Sequence, residues 1–323
     1  MTAGVSEANV PTAGVKGAAG VRAGVLFAAV PVSALVGAAI TFAVTGGPAA
    51  SPSSTPPTPM PPAAAISPTT SPGASERFPL HVPDRSTIPE GPLGDAIRRG
   101  EQLVTRTSEE LPEHVGNDLH CTSCHLQGGT VAGAGPWVGI VGVFPEYRPR
   151  NARVNTLDRR VNDCFERSMN GTALDPESPE MAAIIAYMTW LSRDVPAGHE
   201  IEGRGFVRIA NPPTPNREHG REVYVARCAA CHGEDGLGRR APDGGYLFPA
   251  LWGPRSYNLG AGMARLDTAA AFVHANMPLG AGNTLSEQEA YDVADYFIHG
   301  ERPDWAHAAE DWPQGGRPRD ARY

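Results

Sequence analysis

The chain has 323 residues, enough for two ordinary domains once an unstructured N-terminal part is set aside. Its formal net charge of −8 argues against a general nucleic-acid-binding role. Lys16 is the only lysine among the 27 basic residues, so no lysine in the body of the protein can serve as a ligand or a base.

An uncharged, apolar run of 22 residues extends from Ala23 to Val44, which is long enough to cross a bilayer as one helix. Lys16 and Arg22 precede it, and positive charge there orients the remainder away from the cytoplasm, whether the run is retained or cleaved as a signal. Because no small-x-small site directly follows, we favour a transmembrane anchor at 23–44 after a cytoplasmic tail at 1–22. Either outcome predicts an extracytoplasmic body on the periplasmic side.

The segment after the apolar run has a composition that cannot bury enough apolar surface to fold. Residues 46–75 are mostly Pro, Ala, Ser, Thr and Gly and carry no charge. Because Pro-rich chain is stiff, we predict a semi-extended linker over residues 45–76. The folded part is expected to begin near Arg77.

Four of the five cysteines form two Cys-x-x-Cys-His motifs. The residues concerned are Cys121, Cys124 and His125 in the first motif and Cys228, Cys231 and His232 in the second. This spacing lets both thiols form thioethers to one porphyrin while the adjacent histidine reaches its iron as proximal ligand. Disulfides or a zinc site could use such cysteine pairs, but neither explains a histidine after both. The sequence therefore predicts two covalently bound haem c groups, with iron at each.

The two motifs lie in an internal repeat. Ser178 lies 53 residues after His125, and Ser286 lies 54 residues after His232. Each serine is followed by an apolar stripe at helical spacing, and Glu289 completes a capping box with Ser286.

A second short helix is predicted before each motif, at residues 100–104 and 220–224. A helix, the haem motif, loops and a second helix, in that order, are typical of cytochrome c domains. We therefore predict a mainly α fold. We also predict two tandem cytochrome c-type domains, the first at 77–205 and the second at 206–323. Gly, Pro and Asn accumulate around the join between them.

The distal ligand of the second haem is expected in the loop before the last helix. Met277 lies there, 45 residues after His232, and is followed by a proline. Ligation by His and Met raises a haem's potential and suits electron transfer. Met263 and His274 are competing candidates, or Met277 could be a core residue.

The distal ligand of the first haem is less simple. Repeat symmetry selects Met169, which lies nine residues before Ser178, as Met277 lies nine before Ser286. Cys164 is the odd cysteine and could be a ligand, a buried inert thiol or half of an intermolecular disulfide.

Arginines are concentrated just before Cys164. They are Arg148, Arg150, Arg153, Arg159 and Arg160. Cationic neighbours favour a thiolate, and guanidinium groups present forked donors that match the oxygens of an oxyanion.

Residues 161–171, around Cys164, closely resemble the thiosulfate dehydrogenase family of dihaem cytochromes, and the similarity extends over both haem domains. The resemblance implies His125 with Cys164 at the first iron, in place of Met169, and His232 with Met277 at the second. It also implies active-site arginines four and fourteen residues before the cysteine, namely Arg160 and Arg150. Some members carry a lysine directly before the second methionine, where this chain has Asn276, so lysine switching is excluded here.

The function implied by this resemblance is oxidation of two thiosulfate anions to tetrathionate, with electrons passing to a small cytochrome c or another high-potential acceptor. The same site could reduce tetrathionate. The main alternative is a non-catalytic, membrane-tethered dihaem electron-transfer cytochrome. That alternative predicts His/Met ligation at both haems, with Cys164 as a bystander.

Overall fold

The structure is a computed structural model, which describes residues 77–242 and 246–323. The predicted tail at 1–22, the apolar run at 23–44 and the linker at 45–76 lie outside the described residues. Within the described ranges no helix is both long and apolar enough to cross a membrane.

The described chain is mainly helical, with two short antiparallel strand pairs. The helices are α1 Pro92–Thr105, α2 Thr107–Glu110, α3 Leu126–Gly129, α4 Leu157–Arg167, α5 Pro179–Leu191, α6 Arg217–Arg227, α7 Ala229–His232, α8 Leu266–Asn276 and α9 Glu287–Ile298. The strands are β1 Glu146–Arg148 paired with β2 Arg153–Asn155, and β3 Arg239–Arg240 paired with β4 Tyr246–Phe248. The mainly α prediction is confirmed.

The two helices predicted after the motifs, α5 and α9, begin directly after the serines predicted to cap them. The Ser178 side chain accepts a hydrogen bond from the Met181 amide at the start of α5. Ser286 and Glu289 form the reciprocal capping box at the start of α9. The short helices predicted before the motifs are also confirmed, as parts of α1 and α6.

The N-terminal and C-terminal helices of each half cross at a glycine. A Cβ at Gly100 of α1 would lie 2.0 Å from the carbonyl oxygen of Ala183 in α5. A Cβ at Gly220 of α6 would lie 1.9 Å from the carbonyl oxygen of Asp292 in α9. Only glycine allows the two backbones to approach this closely, and the shared arrangement makes the two halves structural repeats.

Two apolar cores follow from these crossings. The first holds side chains of α1, α4 and α5, including Leu103, Phe165 and Ile184. The second holds side chains of α6, α8 and α9. Tyr257 and Ala261 come from the sequence of the second half but pack in the first core. The halves therefore share a packed boundary.

We expect Gly100→Ala and Gly220→Ala each to lower the free energy of unfolding by at least about 1 kcal/mol. The added methyl group overpacks the crossing, and this outweighs the helix propensity gained from alanine. Thermal unfolding of the full chain, followed by circular dichroism, measures the change. Glu222→Ala, at an exposed position of α6, is the control and should shift stability by less than about 0.5 kcal/mol. Equal unfolding temperatures for the Gly220 variant and this control would contradict the close-crossing explanation.

Candidate active site

The first Cys-x-x-Cys-His motif opens onto a cavity that connects to solvent. Cys121, Cys124 and His125 line it from one side, and Arg160 and Cys164 of α4 also line it. The remaining wall is largely apolar and includes Trp137, Ile140, Phe144, Leu157, Val161, Phe165, Met169, Ile184 and Met188. The structure thus brings the first motif, the odd cysteine and one of the two predicted arginines to one space.

The imidazole of His125 is oriented by the backbone. Its Nδ1 lies 2.6 Å from the carbonyl oxygen of Gly135. A carbonyl only accepts, so Nδ1 carries the proton and Nε2 is left with a free lone pair, the form needed for iron ligation. Gly135 has a φ of +61°, and a Cβ there would lie 3.0 Å from Nδ1. The indole ring of Trp137, 4.8 Å away between ring centroids, packs against the imidazole.

Cys164 lies one helical turn after Arg160 on α4, so the two side chains share a face. Nη1 of Arg160 donates a hydrogen bond to Sγ of Cys164 at 3.1 Å. Burial acts to raise the pKa of this thiol, but the charge of the Arg160 guanidinium outweighs it, with a contribution from the adjacent His125 ring, and the pKa is lowered to about 7. By contrast, burial raises the pKa of the Cys121 and Cys124 thiols to about 12. Among the cysteines at this cavity, Cys164 alone is placed to be a thiolate.

Two further arginines line the first cavity. Arg148 ends β1 and donates to a carboxylate oxygen of Glu146 at 2.9 Å. Arg204 comes from the loop between α5 and α6 and donates to Glu200 at 2.9 Å. No local pattern in the sequence pointed to Arg204. This arginine lies 40 residues after Cys164, in a loop that was predicted only to connect the two domains.

Two members of the arginine cluster are directed elsewhere. Arg159, next to Arg160 on α4, pairs with Asp163 at 3.1 Å and with Glu166 at 3.0 Å. Arg153 is exposed on β2. These two arginines form a solvated charged face, as arginines on a helix or strand surface commonly do.

Arg150 is not among the residues that line the first cavity. Its Nε donates to Oδ2 of Asp311 at 2.9 Å, and its Nη2 donates to the Gly260 carbonyl oxygen at 2.7 Å and to the Tyr323 hydroxyl. Asp311 is 3 % exposed and also accepts a bidentate pair from Arg167, at 2.7 and 2.8 Å. The C-terminal segment therefore holds Arg150 and the end of α4 through one buried carboxylate.

The second motif opens onto a separate cavity. Cys228, Cys231, His232 and Met277 all line it, and so does the competing candidate Met263. Nδ1 of His232 lies 2.9 Å from the Pro249 carbonyl oxygen, so this imidazole also keeps Nε2 free. His274 is not among the lining residues that the structure describes. The choice of Met277 as ligand stays a prediction.

Both cavities fit a haem c group. Each combines apolar walls, two thiols at thioether spacing and a histidine whose Nδ1 is held by a carbonyl. Residues 113–197 match the family described as SoxA/TsdA, cytochrome c domain. Residues 215–297 match the family described as cytochrome C oxidase, cbb3-type, subunit III. The protein is thus a dihaem c-type cytochrome with two covalently bound haem c groups.

Similarity to characterised proteins extends over most of the described chain. A thiosulfate dehydrogenase of Psychrobacter arcticus is 48 % identical over 249 residues, covering 77 % of this chain and 76 % of that protein. A thiosulfate dehydrogenase of Allochromatium vinosum is 48 % identical over 228 residues, which cover 69 % of this chain and 84 % of that protein. The solved thiosulfate dehydrogenase TsdBA of Marichromatium purpuratum matches with a TM-score of 0.66 and 42 % identity, covering 70 % of this chain and 50 % of that one. The chain belongs to the thiosulfate dehydrogenase family.

Removing the Asp311 carboxylate should destabilise the protein by about 3 kcal/mol at pH 7, because it leaves the largely buried Arg167 guanidinium without its bidentate partner. Burial acts to raise the pKa of Asp311, but hydrogen bonds from Arg167 and Tyr323 and the nearby Arg150 charge hold it below its ordinary value of 3.8. A depressed pKa in the folded state means that this stabilisation is present at neutral pH and is lost as the pH falls below 3.8.

Denaturant unfolding of Asp311→Asn at pH 7 and at acidic pH measures this effect. Glu310→Gln is the matched control, since its pair with His307 is exposed, and it should cost less than about 1 kcal/mol. The stability gap between wild type and Asp311→Asn should narrow in acid. A gap that stays constant with pH would contradict the role given to this carboxylate.

Proposed function

We propose that the protein oxidises thiosulfate to tetrathionate in the first cavity. The observation that carries this proposal is the 3.1 Å contact between Arg160 and Cys164 in the cavity that His125 also lines. A thiol held towards its thiolate form beside a guanidinium is an arrangement suited to a nucleophile that acts on an anion. Family membership supports the same substrate.

Positive charge at the cavity addresses the main physical obstacle, which is the repulsion between two dianions. Arg160 supplies a forked donor beside the thiol, and Arg148 and Arg204 also line the cavity, each already paired with a glutamate. Arg150 remains in the proposal as an active-site residue. Arg150 now donates hydrogen bonds to Asp311 and Tyr323, so it would have to release one of them to contact a bound anion directly. Its positive charge acts on the site whether or not it makes that contact.

Cys164 is proposed to carry the sulfur chemistry. Its thiolate forms a bond to the sulfane sulfur of one thiosulfate as two electrons leave, which gives a cysteine-bound thiosulfonate. The second thiosulfate attacks that sulfane sulfur, so the bond to Cys164 breaks, tetrathionate departs and the thiolate is restored. No proton is consumed or released, and the reverse sequence would reduce tetrathionate at the same residues.

Bound haem c supplies the one-electron chemistry that takes up the two electrons. We propose that His125 and Cys164 would hold the iron of the first haem and that His232 and Met277 would hold the iron of the second. Leu119, His120 and Cys124 line both cavities, so a single layer of chain separates them. Electrons would leave from the second domain to a small cytochrome c or another high-potential acceptor.

The location of the protein follows from its cofactor and its N-terminal sequence. Haem c domains are typically extracytoplasmic, and we propose the same side of the membrane here. Tethering by residues 23–44 remains a prediction from the sequence alone.

A spectroscopic comparison tests the proposed ligand Cys164. Low-temperature EPR and near-infrared magnetic circular dichroism of the oxidised protein should show one thiolate-ligated low-spin haem. Cys164→Ala should abolish that signal, and thiosulfate oxidation with it. Met169 lines the same cavity and is the ligand that repeat symmetry would select. Met169→Leu should therefore keep both the thiolate signal and thiosulfate oxidation. Two His/Met signals that are indifferent to Cys164 would instead favour the non-catalytic electron carrier.

Arginine substitutions test anion binding. Arg160→Gln should lower kcat/KM for thiosulfate roughly 100-fold, the scale expected for loss of a charged donor at a reacting group. Arg159→Gln is the matched control one residue away and should leave activity near wild type, because Arg159 pairs with Asp163 and Glu166 on the outer face. Arg150→Gln is expected to reduce activity as well. Steady-state assays with an artificial acceptor measure all three, and equal losses for Arg159 and Arg160 would contradict the site.

A further inference from the structure

The proposed methionine ligand of the second haem directly follows α8, and the end of that helix is bonded to the first half of the chain. Asn276 is the last residue of α8, precedes Met277 and is 6 % exposed. Its Nδ2 donates to the carbonyl oxygen of Gly133 at 3.3 Å and to that of Phe272, one turn earlier, at 3.0 Å. Carbonyl oxygens only accept, so the amide group must face both of them. One buried side chain therefore connects the two halves beside a proposed iron ligand.

The acceptor Gly133 belongs to the loop that orients the proximal histidine of the first haem. Residues 133–135 run beside residues 203–205, and two amide-to-carbonyl hydrogen bonds of 2.8 and 2.9 Å join the two segments. Gly135 supplies the carbonyl oxygen that holds the proton on Nδ1 of His125. The loop is therefore held on one side by the segment between the domains and on the other by the side-chain amide at the end of α8.

The loop that follows Met277 is in turn fastened to α8. The amide of Asn283 donates to the carbonyl oxygen of His274 at 2.8 Å. A Cβ at Gly282 would lie 2.1 Å from the carbonyl oxygen of Ala275, so the loop lies directly against the last turn of the helix. A displacement of the end of α8 must therefore move Met277 and its loop together.

We propose that Asn276 is a positioning residue that couples the methionine ligand of the second haem to the loop that orients His125 at the first. The inference rests on the proposed ligation of the second iron by His232 and Met277. Because the Asn276 amide has one carbonyl partner in each half, it fixes the methionine relative to the first domain as well as to its own helix. Loss of this connection loosens Met277, and a haem that loses its methionine has a lower potential.

Spectroscopy of the full-length, haem-loaded protein tests this coupling. Asn276→Leu keeps the approximate side-chain volume but removes both hydrogen bonds. It should weaken the near-infrared magnetic circular dichroism band of the methionine-ligated haem. It should also shift the EPR signal of the first haem, because the imidazole moves with its loop. Thr284→Val is the matched control and should change neither signal, since the exposed Thr284 hydroxyl bonds to Ala281 and Arg227 of the second half.

Two results for Asn276→Leu would overturn the coupling: unchanged spectra, or a change confined to the second haem, which would show that Asn276 only caps its own helix. If this variant does not load both haems, Gly133→Ala makes the test from the first half. A methyl group at its φ of +75° displaces the carbonyl that Asn276 reaches, so the methionine band of the second haem should weaken, and an unaltered band would overturn the coupling. A wild-type protein without a methionine-ligated haem would refute the proposed ligation itself, and the coupling with it, before any variant is compared.

Discussion

The hydrogen bond from His125 to the Gly135 carbonyl oxygen fixes which ring nitrogen faces the first cavity, and much of the structure is built around it. At 2.6 Å the carbonyl holds the proton on Nδ1, and Trp137 packs on the ring. A side chain at residue 135 would intrude on the imidazole. The segment that carries His125 also contributes residues to the second cavity, so the same stretch of chain forms part of the wall between the two haem sites.

Electrostatics at the first cavity depend on which arginines are already paired. The chain carries a net charge of −8, and most arginines near α4 are matched by a carboxylate. Arg148 has Glu146, and Arg159 has Asp163 and Glu166. Arg160 differs because its hydrogen bond goes to the Cys164 thiol. Positive charge is therefore directed at the sulfur that we propose as the nucleophile, although the protein as a whole is acidic.

Local patterns in the sequence were enough to predict the two haem c groups and the helices that precede and follow each motif, but not α4 or α8. The Cys-x-x-Cys-His motifs, the cap at Ser178 and the capping box at Ser286 each depend on residues within a few positions, and the structure places them as expected. Such local patterns could not predict ion pairs between residues that are far apart in the sequence. Asp311 lies 144 residues from Arg167 and reaches it only because the C-terminal segment returns to the first half, so its role had no local signal.

The C-terminal segment supports the proposed active site from outside it. The family matches end at residue 297, yet the chain beyond that point supplies Asp311 to Arg150 and to Arg167. Trp305 and Trp312 stack on the same two guanidinium groups, with carbon-to-centroid distances of 4.2 and 5.0 Å.

Cys164 lies between Arg150 and Arg167 in the sequence, so both ends of the segment that carries it are tied to one carboxylate. A buried ion pair of this kind adds little net stability compared with apolar packing, but it fixes geometry because each charge is costly without its partner. The segment from the second half thus limits how far α4, and the thiol on it, can move relative to the first motif.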